Sequence, residues 1–281
     1  MTVQPFDVRA SAPPGASLDA LGPLARLPGT WVGTGFNLIS VPNQDPKAAF
    51  PFILLVAPTI ETLTFDPIGG PVPDRGLAPA QNIFYAGLTY LQQVSDGNTH
   101  AAMHIERGMW LNVPATPTPD SPATVVRLGT VPHGDSLLAQ GTFLTVPGGP
   151  QIDPVNPQPT GPSVDQPYLD FFNKGPFPPG FDITNPNQAL VDAIQGQNIT
   201  ETVVLIISTN PSQGLAPGGG ILNIPFVTTN ANVTEVDAIF WIEEVANGDE
   251  PFLQLQYTQT VILNFAGIDW PHVSVATLVK Q

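Results

Sequence analysis

Phe252-Leu-Gln-Leu-Gln-Tyr-Thr-Gln-Thr-Val-Ile-Leu263 is the stretch on which the fold turns. Gln254, Gln256, Thr258 and Thr260 share one face, and Leu253, Leu255, Tyr257 and Gln259 share the other. A period of two with one apolar face is a half-buried strand, because successive side chains point to opposite sides of a sheet. Working outward, residues 30–39, 52–65, 83–94, 100–112, 124–130, 136–146, 199–208, 233–245 and 272–279 read the same way. They are rich in Val, Ile, Thr, Phe and Leu, and clusters of Pro, Gly, Asn and Asp bound them. The fold class that follows is all-β: a closed antiparallel up-and-down barrel of about eight to ten strands with a short helix and a long proline-rich loop.

At one domain per ~150 residues the length of 281 suggests two, but closed barrels run to about 200–250 residues as one. Residues 29–281 therefore read as a single barrel domain with an insertion at about 147–198, and 1–28 as a tail and lead-in. Ser17 can cap one or two helical turns in the lead-in. The insertion holds Tyr168, Phe171, Phe172, Phe177 and Phe181. It is either a lid packed over the barrel mouth or a flexible excursion, since loops of this length are functional or disordered. Within it, 185–194 predicts a short helix with Pro186 at its first position.

Asp and Glu number 23 against 8 Lys and Arg, a formal charge of −15. A field of that sign repels phosphate backbones and anionic membrane surfaces, so neither a nucleic acid nor a membrane is expected as a partner. The absence of cysteine excludes disulfides, thiolate metal sites and a cysteine nucleophile. The first residues lack a basic stretch followed by an apolar one, and the most apolar run, 50–60, is too short to span a bilayer. A soluble, cytoplasmic protein is expected, its oligomeric state (a homodimer included) left open. The 34 prolines and 26 glycines show no period and punctuate the strands.

In Gly29-Thr-Trp31-Val-Gly33-Thr-Gly35, alternate glycines around a tryptophan let a first strand bend and bring backbones close, as in lipocalin-like and fatty-acid-binding-protein-like barrels. Trp31 is expected at the closed end. Of the four histidines, His100 follows a turn and is expected to be exposed. His104 lies on a strand among Met103, Ile105 and Met109, and His133 sits in a turn at a rim. His272 opens the last strand and shares a face with Ser274, Ala276 and Leu278; nothing in the sequence says which face points inward. Glu243-Glu244 and Asp249-Glu250 flank the turn at Asn247-Gly248 and read as a solvated hairpin tip, and Pro217-Gly-Gly-Gly220 as a flexible link. No Gly-x-Ser-x-Gly elbow, P-loop or His-Glu-x-x-His is present.

Several of these segments, in order, resemble the nitrobindin family of haem-binding β-barrels. They are Leu27-Pro-Gly-Thr-Trp-Val-Gly-Thr-Gly35; Met103-His-Ile-Glu-Arg-Gly-Met-Trp-Leu111, continuing into Val125-Val-Arg-Leu-Gly129, His133-Gly134 and Leu138-Ala-Gln-Gly-Thr142; and Leu255-Gln-Tyr257 through Pro271-His-Val-Ser-Val-Ala-Thr-Leu-Val-Lys280. The match covers about half of the chain, which departs from the family's pattern through long segments at 41–76 and 147–198. The resemblance implies haem b as cofactor, with His272 as proximal iron ligand and His104 on the distal side. A haem there would have Met103 and Met109 as soft, adaptable walls and would need Arg107, Arg127 or Lys280 beside its propionates; simple surface solvation is the other reading of these basic residues, of Lys280 above all. NO or a related diatomic gas, or peroxynitrite or peroxide chemistry, would then be the business of the iron. Two alternatives stand beside it. One is a haem-free, lipocalin-like barrel carrying an apolar small molecule. The other is a cofactor-free isomerase or lyase using His104, Glu106 and His133 as acid and base.

Overall fold

The structure is a computed structural model that describes residues 18–210, 218–248 and 250–281. The Ser17 cap, Pro217 of the glycine link and Asp249 of the acidic turn lie outside the described residues. The chain forms β1 (Gly29–Pro42), β2 (Phe52–Pro67), β3 (Val72–Asp74), β4 (Ile83–Asp96), β5 (Ala102–Val113), β6 (Thr116–Pro117) and β7 (Asp120–Ser121). It continues with β8 (Thr124–Val131), β9 (Asp135–Pro147), α1 (Gln166–Phe172), α2 (Gln188–Ala193), β10 (Asn198–Ser208) and β11 (Gly219–Asn223). Last come α3 (Pro225–Asn230), β12 (Asn232–Ala246), β13 (Phe252–Phe265) and β14 (Ile268–Lys280).

Ten strands form a closed antiparallel ring in the order β10-β12-β13-β14-β1-β2-β4-β5-β8-β9, with β9 paired back to β10. They are the ten segments read from the sequence. Two joints close the ring. β10 takes the second half of β9, Ser208 opposite Gln140 through Glu201 opposite Pro147, while β11 takes the first half. At the other joint, β1 meets β14 along Gly33 and Gly35. A Cβ on either glycine would overlap the carbonyl oxygen of Thr277 or Val275, so bare backbone is what lets these strands approach.

One end is plugged. Leu21, Leu24 and Leu27 of the lead-in are buried in the interior cluster with Trp31, whose indole N–H donates to the Leu27 carbonyl at 2.7 Å. The lead-in is therefore part of the core, and Trp31 is fully buried as expected.

The segment between β9 and β10 is no free excursion: α2 packs on the outer wall, while α1 packs on Trp270, which shares the His272 side of β14. Leu190 of α2 buries against Val273, Val275 and Trp241, on the face of β14 opposite His272 and Ser274. Phe172 of α1 joins Leu38, Phe52 and Trp270, and Thr160 pairs with Asp269 through two backbone bonds of 2.9 Å. α2 starts after Asn187, later than Pro186, and α1 was not legible because it is one short turn-rich stretch amid prolines. This cover changes the reading of β12 and β13. Gln254 and Gln256, expected on a solvated face, are buried, and the Gln256 amide donates to the Leu190 carbonyl at 2.9 Å and to Thr277 Oγ1 at 2.8 Å. Glu243, read as part of a solvated tip, is likewise buried and accepts from Gln254 at 2.6 Å.

β14 begins at Ile268, so His272 sits inside the strand opposite Val261 rather than opening it. β14 loses its β1 partner beyond the Leu38–Val273 pair, and there a proline, which cannot donate to a ladder, is tolerated at Pro271. Gly219 and Gly220 of the glycine link belong to β11 and pair with β9. Among the described residues, no helix is long and apolar enough to cross a membrane.

Candidate functional site

Alternation along β5 decides which residues of the histidine strand enter the barrel. His104, Glu106 and Trp110 fall on one side, Ile105, Arg107 and Met109 on the other. Glu106 and Trp110 are buried while Ile105, Arg107 and Met109 are exposed, so the first set is the inner one. Arg107 and Met109 line an outer groove, and Met103, at the β-bulge between Ala102 and His104, does not line the cavity that holds His104. The structure thus does not bring Met103, Met109 or Arg107 to the cavity that holds His104. Lys280 is also elsewhere, at the plugged end, donating to the Arg26 carbonyl at 2.8 Å. His100 is exposed in the β4–β5 turn.

Above the apolar plug, the interior carries a polar layer in two joined clusters. Arg127 of β8 donates to Glu106 Oε1 at 2.8 Å and to the Tyr90 hydroxyl at 3.1 Å, and the Tyr90 hydroxyl donates to Glu106. Gly129 makes room for this carboxylate: a Cβ there would overlap Glu106 Oε1. In the second cluster Tyr257 donates to Glu61 Oε2 at 2.7 Å and Gln92 donates to Glu61 Oε1 at 2.8 Å. Arg127 also donates to Gln259 Oε1 at 2.6 Å, which lines the same cavity as Gln92 and Tyr257.

Toward the mouth stand the histidines. His104 Nε2 lies 3.5 Å from Glu106 Oε2, and its ring is 6.1 Å from that of His133 in the β8–β9 turn. On the facing wall His272 Nε2 is 2.8 Å from Asn37 Nδ2, which also donates to Ser274 Oγ at 3.1 Å. Because the Asn37 amide is a donor, Nε2 is the lone-pair nitrogen and the ring proton sits on Nδ1. A cavity of about 30 Å³ lies between Asn37, Gln92, His104, Tyr257, Gln259 and His272. As the side chains stand, that is room for water molecules and not for a large organic ligand.

The electrostatics sort these groups by role. Burial would raise Glu106, but Arg127, His104 and Tyr90 outweigh it and hold the carboxyl at about 2. It is ionised at neutral pH, and a carboxyl held this low is a weak base. Glu61 has no such cation in contact, and burial pushes it to about 7 against the opposing bonds from Tyr257 and Gln92. Burial, aided by His104 and His133, pushes His272 down to about 3, so its imidazole is neutral. Sequence reading missed Glu61, Gln92, Tyr90 and Tyr257. The signal available was a lone Glu inside the apolar run Thr59-Ile-Glu61-Thr-Leu, on the same side of the strand as Leu63.

Haem makes three demands on this site. A neutral imidazole aimed into the barrel suits an axial iron ligand, and His272 meets that demand. The space does not suit: the cavity holds water, not a porphyrin. Propionate partners do not suit either, since Arg107 and Lys280 face elsewhere and Arg127 is engaged by Glu106. As the side chains stand, the ligand atom fits and the group does not. Among the described residues no three His, Asp or Glu side chains are grouped to hold a bare metal ion.

No protein-family model matches the chain, and no curated protein matches it. Among solved structures the chain is similar to the crystal structure of Rv2717c from M. tuberculosis, with 19% identity over 97% of this chain and 99% of that one and a TM-score of 0.47. A likeness this distant bears on neither family nor function.

Proposed function

We propose that the chain is a ligand-binding barrel whose working group is the neutral imidazole of His272 at the mouth cavity, and that haem b is the ligand it takes. The observation that supports this is the inward lone pair of His272 Nε2, contacted by the Asn37 amide and facing a wall that carries His104. When bound, haem would supply an iron that takes up a diatomic gas such as NO. The chain's own residues would hold and tune it. His272 would hold the iron once Asn37 releases its imidazole, and the Glu106–Arg127 pair would keep His104 oriented on the opposite wall. Uptake needs the Asn37–His272 bond broken and the rim side chains moved, because the closed cavity has no room.

Titration of the purified protein with haemin tests this reading. The expected result is a Soret band of histidine-ligated haem, with His272→Leu lowering affinity by orders of magnitude and Asn37→Leu raising it. Uptake that ignores His272→Leu but is lost in His104→Leu would move the ligand to the other wall. No uptake at all would overturn haem.

A second reading rests on Glu61. A carboxyl held at about 7, bonded to Tyr257 and next to the cavity, is matched to acid–base work near neutral pH on a small polar guest. It replaces Glu106 in the cofactor-free alternative, and haem-free turnover abolished by Glu61→Gln would support it.

A further inference from the structure

The outer wall carries a second concavity, unrelated to the histidines. Between the 150–155 stretch of the insertion and the outward faces of β9, β10, β12 and β13 runs a groove of about 590 Å³. Its floor is apolar: Leu144, Val146, Val204, Ile206, Ile239 and Trp241. Its polar groups include three oxygens that can accept a hydrogen bond. Asn187, Asp237 and Thr258 line it, and Asn187 Oδ1, Asp237 Oδ1 and Thr258 Oγ1 are buried oxygens with no hydrogen-bond partner among the described residues; the Asp237 carboxyl also has Ser208 and Glu235 beside it. Asn187 is 3% exposed and Thr258 8%. The Asn187 amide nitrogen is spent on the Asp153 carbonyl at 2.7 Å, which turns its oxygen loose toward the groove. Asp153 adds a second carboxylate to the lining, and among the described residues no Lys or Arg lines it.

Buried polar atoms are almost always paired, and three orphans in one place call for a partner. All three can accept, and one belongs to a carboxylate, so the missing partner is a donor with positive charge. The hydrocarbon floor requires that the rest of the partner be apolar. We infer that this groove binds a small organic cation, an ammonium on a hydrocarbon body, with the ammonium on Asp237, Asn187 and Thr258 and the hydrocarbon along Trp241 and Ile239. A chain of formal charge −15 favours arrival of such a cation and disfavours a carboxylate of the same shape. Burial and the neighbouring Glu235 raise Asp237 to about 6, so the anion that receives the ammonium is present above that pH.

Isothermal titration at about pH 8 with octylammonium, octanol and octanoate tests this, because the three share a body and differ in the head. Octylammonium is expected to bind, octanol to bind at least about tenfold more weakly, and octanoate not to bind. Asp237→Asn should weaken octylammonium by about tenfold to a hundredfold and leave octanol unchanged, since a hydrogen bond to a charged group is worth more than a neutral one. Asn187→Ala, which leaves the carboxylate in place, should weaken both. Circular dichroism checks that each variant is folded. Equal binding of octanol and octylammonium, binding of octanoate, or an Asp237→Asn protein with unchanged octylammonium affinity would each overturn the proposal. So would calcium binding that depends on Asp237 and displaces octylammonium, since the site would then serve a bare ion.

Discussion

Glu61 and Tyr257 stand 196 residues apart in the chain and 2.7 Å apart in the barrel, the phenol donating to the carboxyl. β2 and β13 do not pair with one another; the contact crosses the barrel interior. With Gln92 it places a titratable acid in a layer otherwise held by a permanent ion pair. This acid, the neutral His272 and the Glu106–Arg127 pair give the interior three groups with different responses to pH and to mutation.

Glu61 carries an alkaline signature. Its folded value of about 7 lies above the ordinary 4.5, so the stability from its protonated form is complete below 4.5 and is lost as pH rises through 7. Glu243, raised to the same value by burial, works in the same window. Glu61→Gln keeps an acceptor and removes the proton, and should recover up to about 3 kcal/mol relative to the parent between about pH 5 and 8. Urea unfolding across that range measures it, and parallel curves for parent and variant would sink the idea.

His272 responds in the opposite direction. Its folded value of about 3 lies below the ordinary 6.5, so its contribution is present above 6.5 and drains away as pH falls from 6.5 through 3. His272→Leu cannot charge, and it should resist acid between about pH 6 and 4 better than the parent by about 1–3 kcal/mol. Thermal melts down this range check it; a variant with the same acid slope as the parent places the imidazole in water.

Breaking the Glu106–Arg127 pair from one side should be costly. Both groups are buried and joined at 2.8 Å, so Arg127→Met strands a carboxylate and should destabilise by about 3–5 kcal/mol. The double variant Glu106→Gln, Arg127→Met should recover most of that loss. A double-mutant cycle in urea reads the coupling, and additive effects would show that the charges are solvated.

Trp31→Ala should cost about 3–5 kcal/mol, because the indole is fully buried on the lead-in leucines and its N–H is satisfied by Leu27. Deleting residues 1–28 should cost as much or more by unplugging the same end, and circular dichroism melts compare the two. A truncated chain as stable as the full one would make the lead-in dispensable.

Local pattern was enough for the strands. A period of two is a property of consecutive residues, and ten such segments between turn clusters yield a closed meander when each pairs with its neighbour. The glycines of Gly33 and Gly35 and the burial of Trp31 were legible for the same reason. What lies on the other side of each strand was not. Gln254, Gln256 and Glu243 look solvated in sequence because alternation says which residues share a face and not what covers it; Leu190, 66 residues before Gln256, covers that residue, and Gln197 meets Gln254. The same limit hid the site. His104 and His272 were visible as residue types, but whether they point inward, and that Met109 and Arg107 point outward, depends on how the ring closes. Glu61, Gln92 and Tyr257 are unremarkable on their own strands and become an acid–base cluster only where strands distant in the chain meet around a small space. Sequence alone determined the strands and their order; the tertiary structure alone decided inside from outside, because burial and the pKa shifts that follow from it are properties of neighbours, and the neighbours come from far along the chain.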